Sequence, residues 1–306
     1  MELETIFPLS RIGAAAALLL ISLFTASTFA AVLSPAFGDP DKLAAQKGTF
    51  EILGIKLGMP VDDALQALKA YDPKLQIAPQ SGAFDVLPDL KITPAYVADE
   101  KLGAGGRYDR FDTAPERFLL LTTTAPSKPY VWGIWRVIHY PDSNKRPLAA
   151  AFIESVKKKY GTPTLTDAQK SGEGNYYWQL DGNGKPYPMK KNAECGWAVP
   201  SGFDYVAPQA FSIGSDWIAR GVPSNRPPSV QTIKEAASPA CGYAAGLRIQ
   251  MGVDQQGRLS YVEMVAQNFK LGWSSFEITR QKLIDAQKAK QQQQERQAAQ
   301  QSGPQL

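Results

Sequence analysis

Two stretches of the chain repeat apolar residues at the spacing of an amphipathic helix. The first apolar face consists of Val61, Ala64, Leu65, Leu68 and Tyr71. The second consists of Leu148, Phe152, Val156 and Tyr160, spaced by four. Asp72 precedes a proline and so disfavours the α region, which ends the first helix, and Gly161 followed by Pro163 ends the second. The pattern therefore predicts two helices that each bury one face.

Apolar runs before and after these helices predict strands. The predicted runs are residues 50–57, 116–124, 130–140, 175–180, 246–254 and 258–268, with two shorter ones at 74–79 and 90–98. The last two long runs flank Gln255-Gln256-Gly257, which predicts a hairpin. We therefore expect an α+β fold with helices packed on antiparallel sheet. Its globular region spans residues 49–273, either as one body or as two tandem helix-plus-sheet units at 49–143 and 144–273.

A short motif, Gly58-Met59-Pro60, joins the first extended run to the first helix. Glycine allows a sharp turn, and proline fits the first turn of a helix, where its missing N–H costs nothing. Asp62 and Asp63 then lie at the positive end of the helix. A catalytic pair of carboxylates is the alternative interpretation, but adjacent helical residues point about 100° apart. The pattern favours a structural motif.

The C-terminal segment, residues 274–306, predicts a polar, glutamine-rich helix or a disordered tail. Ser274 or Ser275 can cap such a helix. Its anchoring apolar residues are Phe276, Leu283 and Ile284. Alanine is the only apolar residue type beyond Ile284, so we expect the helix to project and fray, or to be disordered by residue 300.

Residues 1–30 have the pattern of an export signal. Arg11 precedes an apolar run at 12–24, and small residues allow cleavage after Ala30, followed by a linker at 31–48. The alternative is an uncleaved anchor, since residues 12–33 are long enough to cross the hydrocarbon core. Either option predicts that the body is exported. The expected location is periplasmic or secreted, or inner-membrane anchored with the body outside.

Export favours a disulfide between the two cysteines of the chain, Cys195 and Cys241. A reactive thiol or a metal ligand is the alternative, although cysteines without histidine neighbours make a poor zinc site. The formal net charge of +4 is dispersed, so we expect no nucleic-acid partner.

The sequence predicts no catalytic residue, no metal and no cofactor. His139 is the single histidine, and the chain contains no Gly-x-Ser-x-Gly motif. The glycine-rich stretch at 103–106 lacks a dinucleotide fingerprint because Tyr108 stands where glycine is needed.

Aromatic residues are the remaining candidates for a binding surface. The candidates are Tyr176, Tyr177, Trp178, Trp197 and Trp217. Aromatic rings stack on sugars and anchor protein interfaces. The alternative is that these rings fill the core of a β-rich domain.

The segment "IKLGMPVDDALQAL", residues 55–68, resembles the strand–Gly-Met–helix motif of small outer-membrane assembly proteins of the SmpA/OmlA class. A duplicated helix-on-sheet unit of this kind is found in the β-lactamase inhibitor protein. The segment "KKKYGTPTL", residues 157–165, is similar to the sequence that closes such helices. Pro60 replaces the hydroxyl cap of that class, and its lipid-bearing cysteine is missing. The resemblance implies a cell-envelope interaction module without an active site.

Three functional hypotheses result. The first is an exported, non-enzymatic module that binds an envelope protein or a glycan, with membrane contact only if the N-terminal segment is retained. The alternative is an envelope hydrolase that uses carboxylates on a cell-wall or glycan substrate. In the third, the glutamine-rich tail docks into a larger assembly.

Overall fold

The computed structural model describes residues 38–46, 50–84, 87–100, 115–181, 183–187 and 245–301. The helices are α1 (Pro40–Ala44), α2 (Val61–Tyr71), α3 (Ala149–Tyr160) and α4 (Phe269–Gln301), with a 3-10 turn at Ser143–Lys145. The strands are β1 (Glu51–Ile52), β2 (Ile55–Lys56), β3 (Gln76–Phe84), β4 (Leu87–Asp99), β5 (Glu116–Thr122), β6 (Val131–His139), β7 (Leu165–Thr166), β8 (Gly174–Leu180), β9 (Ala245–Val253) and β10 (Leu259–Asn268).

The larger sheet has eight antiparallel strands in the order β3-β4-β5-β6-β10-β9-β8-β7. Each half is a four-strand meander that follows a helix, α2 in the first half and α3 in the second. The last strands of the two meanders, β6 and β10, pair with each other from Tyr261↔His139 to Gln267↔Gly133. This architecture confirms the predicted α+β class with helices on antiparallel sheet, although the sheet dominates.

The first face of the sheet carries the main core, because α2 and α3 pack there with β1 and β2. Helix α2 contributes Val61, Ala64 and Leu68, and α3 contributes Ala149, Ile153 and Val156. They share one buried cluster with residues from strands of both meanders, among them Phe118, Ile134, Leu247, Ile249, Val262 and Met264.

The buried face of α3 differs from the predicted one. Leu148 is 55% exposed, and the buried positions include Ala149 and Ile153 instead. Leu148 precedes the helix in extended conformation and forms a β-bridge with Arg258, so its side chain does not follow the helical repeat.

Helix α2 is tied to the sheet at its C-terminal end by Tyr71. The hydroxyl of Tyr71 donates to Glu116 Oε2 at 2.8 Å, and Arg136 donates to that hydroxyl at 3.1 Å and also contacts Glu116. Burial, and then the hydrogen bond to Glu116, raise the pKa of Tyr71. The ring also packs edge-on against Phe118, with centroids 5.9 Å apart.

The Gly58-Met59-Pro60 motif lies where the β1–β2 hairpin turns into α2. Gly58 has φ of +85°, and its N–H donates to the carbonyl of Val131 at 2.7 Å. A Cβ on Gly58 would stand 2.2 Å from the carbonyl oxygen of Ala44 in α1. Met59 packs against the core, and Pro60 leads into the first helical turn without a side-chain capping bond. Glycine is therefore required at position 58 for two reasons: the backbone is left-handed there, and α1 approaches too closely to leave room for a Cβ.

The predicted hairpin at Gln255-Gln256-Gly257 joins β9 to β10 in the structure. Asp254 organises the turn, since its Oδ1 accepts from the backbone N–H groups of Gln256 at 3.0 Å and Arg258 at 2.9 Å. Arg146 adds a hydrogen bond to Asp254 Oδ2 at 3.2 Å.

Candidate functional site

Helix α4 begins at Phe269, directly after β10, and not at Ser274 or Ser275 as the sequence predicts. The carboxamide oxygen of Asn268 accepts from the backbone N–H of Leu271 at 3.0 Å and so caps the helix. Both serines lie inside the helix and are buried.

Hydroxyl groups attach the first turns of α4 to the turn between β5 and β6. Ser275 Oγ accepts from the N–H of Thr124 at 2.8 Å, and Thr279 Oγ1 donates to the carbonyl of Ala125 at 2.8 Å. Ser274 Oγ bonds the carbonyl of Gly38, which precedes α1. These contacts explain why small hydroxyl residues are buried here.

Apolar contacts complete the attachment of α4. Leu283 packs with Leu90 and Ile92 of β4. Gly272 lies under the ring of Trp132, where a Cβ would come within 2.6 Å of ring atoms. Burial at the start of the helix lowers the pKa of Lys270. The base of α4 is therefore fixed to the body.

Beyond this base, residues 287–300 of α4 are all exposed. We call this segment the arm. At about 1.5 Å per residue its fourteen residues extend for about 21 Å. Glutamine occupies seven of these positions, and the charged residues are Lys288, Lys290, Glu295 and Arg296. The sequence predicted a projecting polar helix, and the structure places one here, continuous to Gln301.

The second face of the sheet carries charged residues that are paired. Arg117 and Asp99 form an ion pair whose side chains are 7% and 2% exposed. Arg248 lies 3.2 Å from Glu263, which also accepts from Trp135 Nε1 at 2.6 Å.

The two carboxylates of this face, Asp99 and Glu263, lie on different strands. Asp99 on β4 and Glu263 on β10 are three strand positions apart, which separates their Cα atoms by about 14 Å. Each carboxylate is also engaged by an arginine of a neighbouring strand.

The candidate aromatic residues of β8 are buried. Tyr176 and Trp178 are 7% and 2% exposed and belong to the main core, where Trp178 Nε1 donates to the carbonyl of Gly161 at 2.9 Å. Tyr177 points to the second face and is 4% exposed. The strand alternates these three rings between the two faces of the sheet, and their role in binding stays a prediction.

Four predicted residues, Cys195, Cys241, Trp197 and Trp217, lie outside the described residues. The disulfide and the role of the two tryptophans stay predictions. The export signal and the alternative anchor, residues 1–30 and 12–33, lie there as well.

The sequence interpretation did not include two polar residues of the second face, Gln179 and Gln267. Both are buried, at 1% and 0% exposure. The available signal was a glutamine inside each of two apolar strands, in "NYYWQL" and "EMVAQN". Sequence alone could not show that these strands flank the same neighbour.

No family model matches the chain, and neither the curated proteins nor the solved structures provide a match. Among the described residues, no helix combines the length and the apolar character needed to cross a membrane.

Proposed function

We propose that the protein is an exported, non-enzymatic interaction module of the cell envelope and that it binds a partner protein through the arm. The observation that carries this proposal is the arm itself, a helical segment exposed at every position that continues from a buried base. Export rests on the sequence pattern of residues 1–30.

The physical argument starts from the marginal stability of short helices in water. Most helices in proteins are stabilised by burying an apolar face, and every residue of the arm is exposed. A helix that is polar on all sides is typical of segments that bridge to another domain. The base of α4 stabilises the helical conformation of the arm, because it supplies a preformed helical turn and so removes the cost of helix nucleation.

The composition of the arm favours a polar protein surface as its partner. Glutamine side chains both donate and accept hydrogen bonds. Lys288, Lys290 and Arg296 outnumber Glu295, so the partner surface is expected to be acidic. The arm contains no aromatic ring, which favours a protein over the stacked face of a glycan.

The test is crosslinking of the tagged protein in the native envelope, followed by affinity purification. We compare the full chain with a truncation that ends at Ala286 and with a control truncation that removes only residues 302–306. The expected result is one dominant partner that is lost on truncation at Ala286 and kept in the control. A reversed-charge variant, Lys288→Glu with Lys290→Glu, is expected to weaken capture without shortening the helix.

Two outcomes contradict the proposal. Capture of the same partner by the chain that ends at Ala286 would exclude the arm as the binding segment. A full chain that captures no protein would contradict the interaction function. Circular dichroism and denaturant unfolding of the truncated chain verify that the body still folds.

A further inference from the structure

Two buried glutamines lie on the second face of the sheet, on either side of a glycine. Gln267 of β10 and Gln179 of β8 both pair with Gly246 of the strand between them, β9. Directly paired residues of antiparallel strands point to the same face. The two Cα atoms are two strand spacings apart, about 9.6 Å. Gly246 has no side chain to separate the two carboxamides.

All four polar atoms of these carboxamides lack hydrogen-bond partners within the part of the chain that the structure describes. Both side chains are closed off from solvent, at 1% exposure for Gln179 and 0% for Gln267. Buried polar groups in proteins are almost always hydrogen-bonded, and an unpaired one destabilises the fold. Two glutamines with the same deficit therefore indicate a partner outside the described residues.

The surroundings favour an uncharged partner. Arg248 lies two residues from Gly246 along β9 and points to the same face. Its charge is opposed by Glu263, 3.2 Å away. A charged ligand would have to be desolvated here without a free counter-charge among these groups.

We propose that Gln179 and Gln267 form a buried binding site for an uncharged ligand that carries an amide. A secondary amide has its N–H and its C=O on opposite sides, so one glutamine can accept from the N–H while the other donates to the C=O. The peptide bond of an uncharged peptide supplies such an amide. The acetamide of an N-acetylated sugar supplies the same chemistry. This site does not depend on the arm or on the proposed function.

The experiment follows the side-chain amide signals of glutamine by ¹⁵N–¹H NMR in the full-length protein. Gln179→Met and Gln267→Met assign the two signals and remove one carboxamide each at nearly constant side-chain size. Gln250→Met is the matched control, since Gln250 lies on β9, points to the same face and is partly exposed. The probes are N-acetylalanine methylamide, N-acetylglucosamine and glucose, which lacks the amide.

We expect at least one amide probe to shift both buried signals in a saturable manner, and glucose to leave them unchanged. The peptide probe and the sugar probe distinguish the two sources of the amide. Each buried Gln→Met variant is expected to weaken probe binding at least tenfold, whereas Gln250→Met leaves it unchanged. Because the site is enclosed, the samples are equilibrated before measurement.

Three results would overturn the proposal. The first is that no amide probe shifts either signal. The second is that both carboxamides exchange magnetisation only with water, which identifies ordered water as their partner. The third is a direct bond between the two glutamines, detected as one variant shifting the other signal in the absence of any probe. Unfolding of the double Met variant at an unchanged or higher denaturant concentration verifies that the variants fold.

Discussion

Replacing Gly58 by alanine tests the close approach of α1 to the turn before α2. The φ angle of +85° costs an alanine about 1–2 kcal/mol, and the stiffer unfolded chain returns about 0.4–1 kcal/mol. The new Cβ would also stand 2.2 Å from the carbonyl oxygen of Ala44. The obstacle is backbone and not a flexible side chain, so α1 itself must move.

The cost of moving α1 follows from what it buries. Leu43 is 6% exposed, and the loss of one buried leucine costs about 1.5–3 kcal/mol. Together with the backbone strain, Gly58→Ala is expected to lower the free energy of unfolding by about 3 kcal/mol. The assay is urea unfolding followed by tryptophan fluorescence, analysed at a common m value.

Gly54→Ala is the matched control for this variant. Gly54 has nearly the same φ, +79°, but a Cβ there would meet nothing within 4 Å. Gly54→Ala should therefore lower the free energy of unfolding only by the net backbone strain, about 1 kcal/mol or less. Equal losses in the two variants, within about 0.5 kcal/mol, would refute the reasoning, because the contact with Ala44 would then carry no energy.

Three further predictions concern charged groups. Arg117→Met is expected to lower the free energy of unfolding by about 3–5 kcal/mol, because it removes the arginine that is paired with the buried Asp99. Adding Asp99→Leu should recover most of this loss, as measured by denaturant unfolding. Burial, and then the charge of Arg117, lower the pKa of His139 below its ordinary 6.5. Just below pH 6.5 the unfolded chain therefore binds more protons than the folded protein, so the free energy of unfolding rises with pH. His139→Gln should reduce this pH dependence. The backbone N–H of Arg258 holds the pKa of Asp254 below its usual 3.8. The stability that Asp254 contributes by capping the turn is thus present above pH 3.8 and is lost as the pH falls through the lower pKa of the folded protein. Asp254→Ala should therefore speed amide hydrogen exchange at Arg258 at neutral pH.

Local patterns predicted the elements whose signals are confined to a few residues. Helix α2 buries Val61, Ala64 and Leu68 as its spacing predicts, and the turn at Gly257 takes a φ of +75°. Both features depend on neighbours within one or two turns of the chain, and a single sequence contains that information.

Strands β3 and β4 are much longer than the short runs predicted at 74–79 and 90–98. Pro79 is tolerated because β3 is an edge strand. Some N–H groups of an edge strand form no inter-strand hydrogen bond, so a proline can replace such a residue. Pro94 falls where the β3–β4 register shifts between Gln80 and Gly82, and such bulges accept proline. The predicted run at 74–79 ends at Pro79, whereas the run at 90–98 already includes Pro94. The edge position and the bulge that accept these prolines exist only in the assembled sheet.

The candidate site depended on contacts that are distant in sequence. The predicted start of α4 was wrong because Ser275 and Thr279 form hydrogen bonds with residues of the β5–β6 turn, more than 150 positions earlier in the chain. Ser275 resembles a helix cap in sequence, but its hydroxyl attaches the helix to this turn. Burial of Tyr176 and Trp178 likewise follows from the pairing of β8 with β9, across a long connection.

The two meanders share a strand edge and a core, although each repeats the order of one helix and four strands. Strands β6 and β10 pair along seven residues, so dividing the chain between residues 143 and 144 would create two new unprotected edges. Helices α2 and α3 also pack in one cluster with strands of both meanders, and separation would expose the apolar residues of that cluster. The described residues accordingly fall within one compact unit. A repeat whose halves share an edge and a core therefore presents one continuous second face.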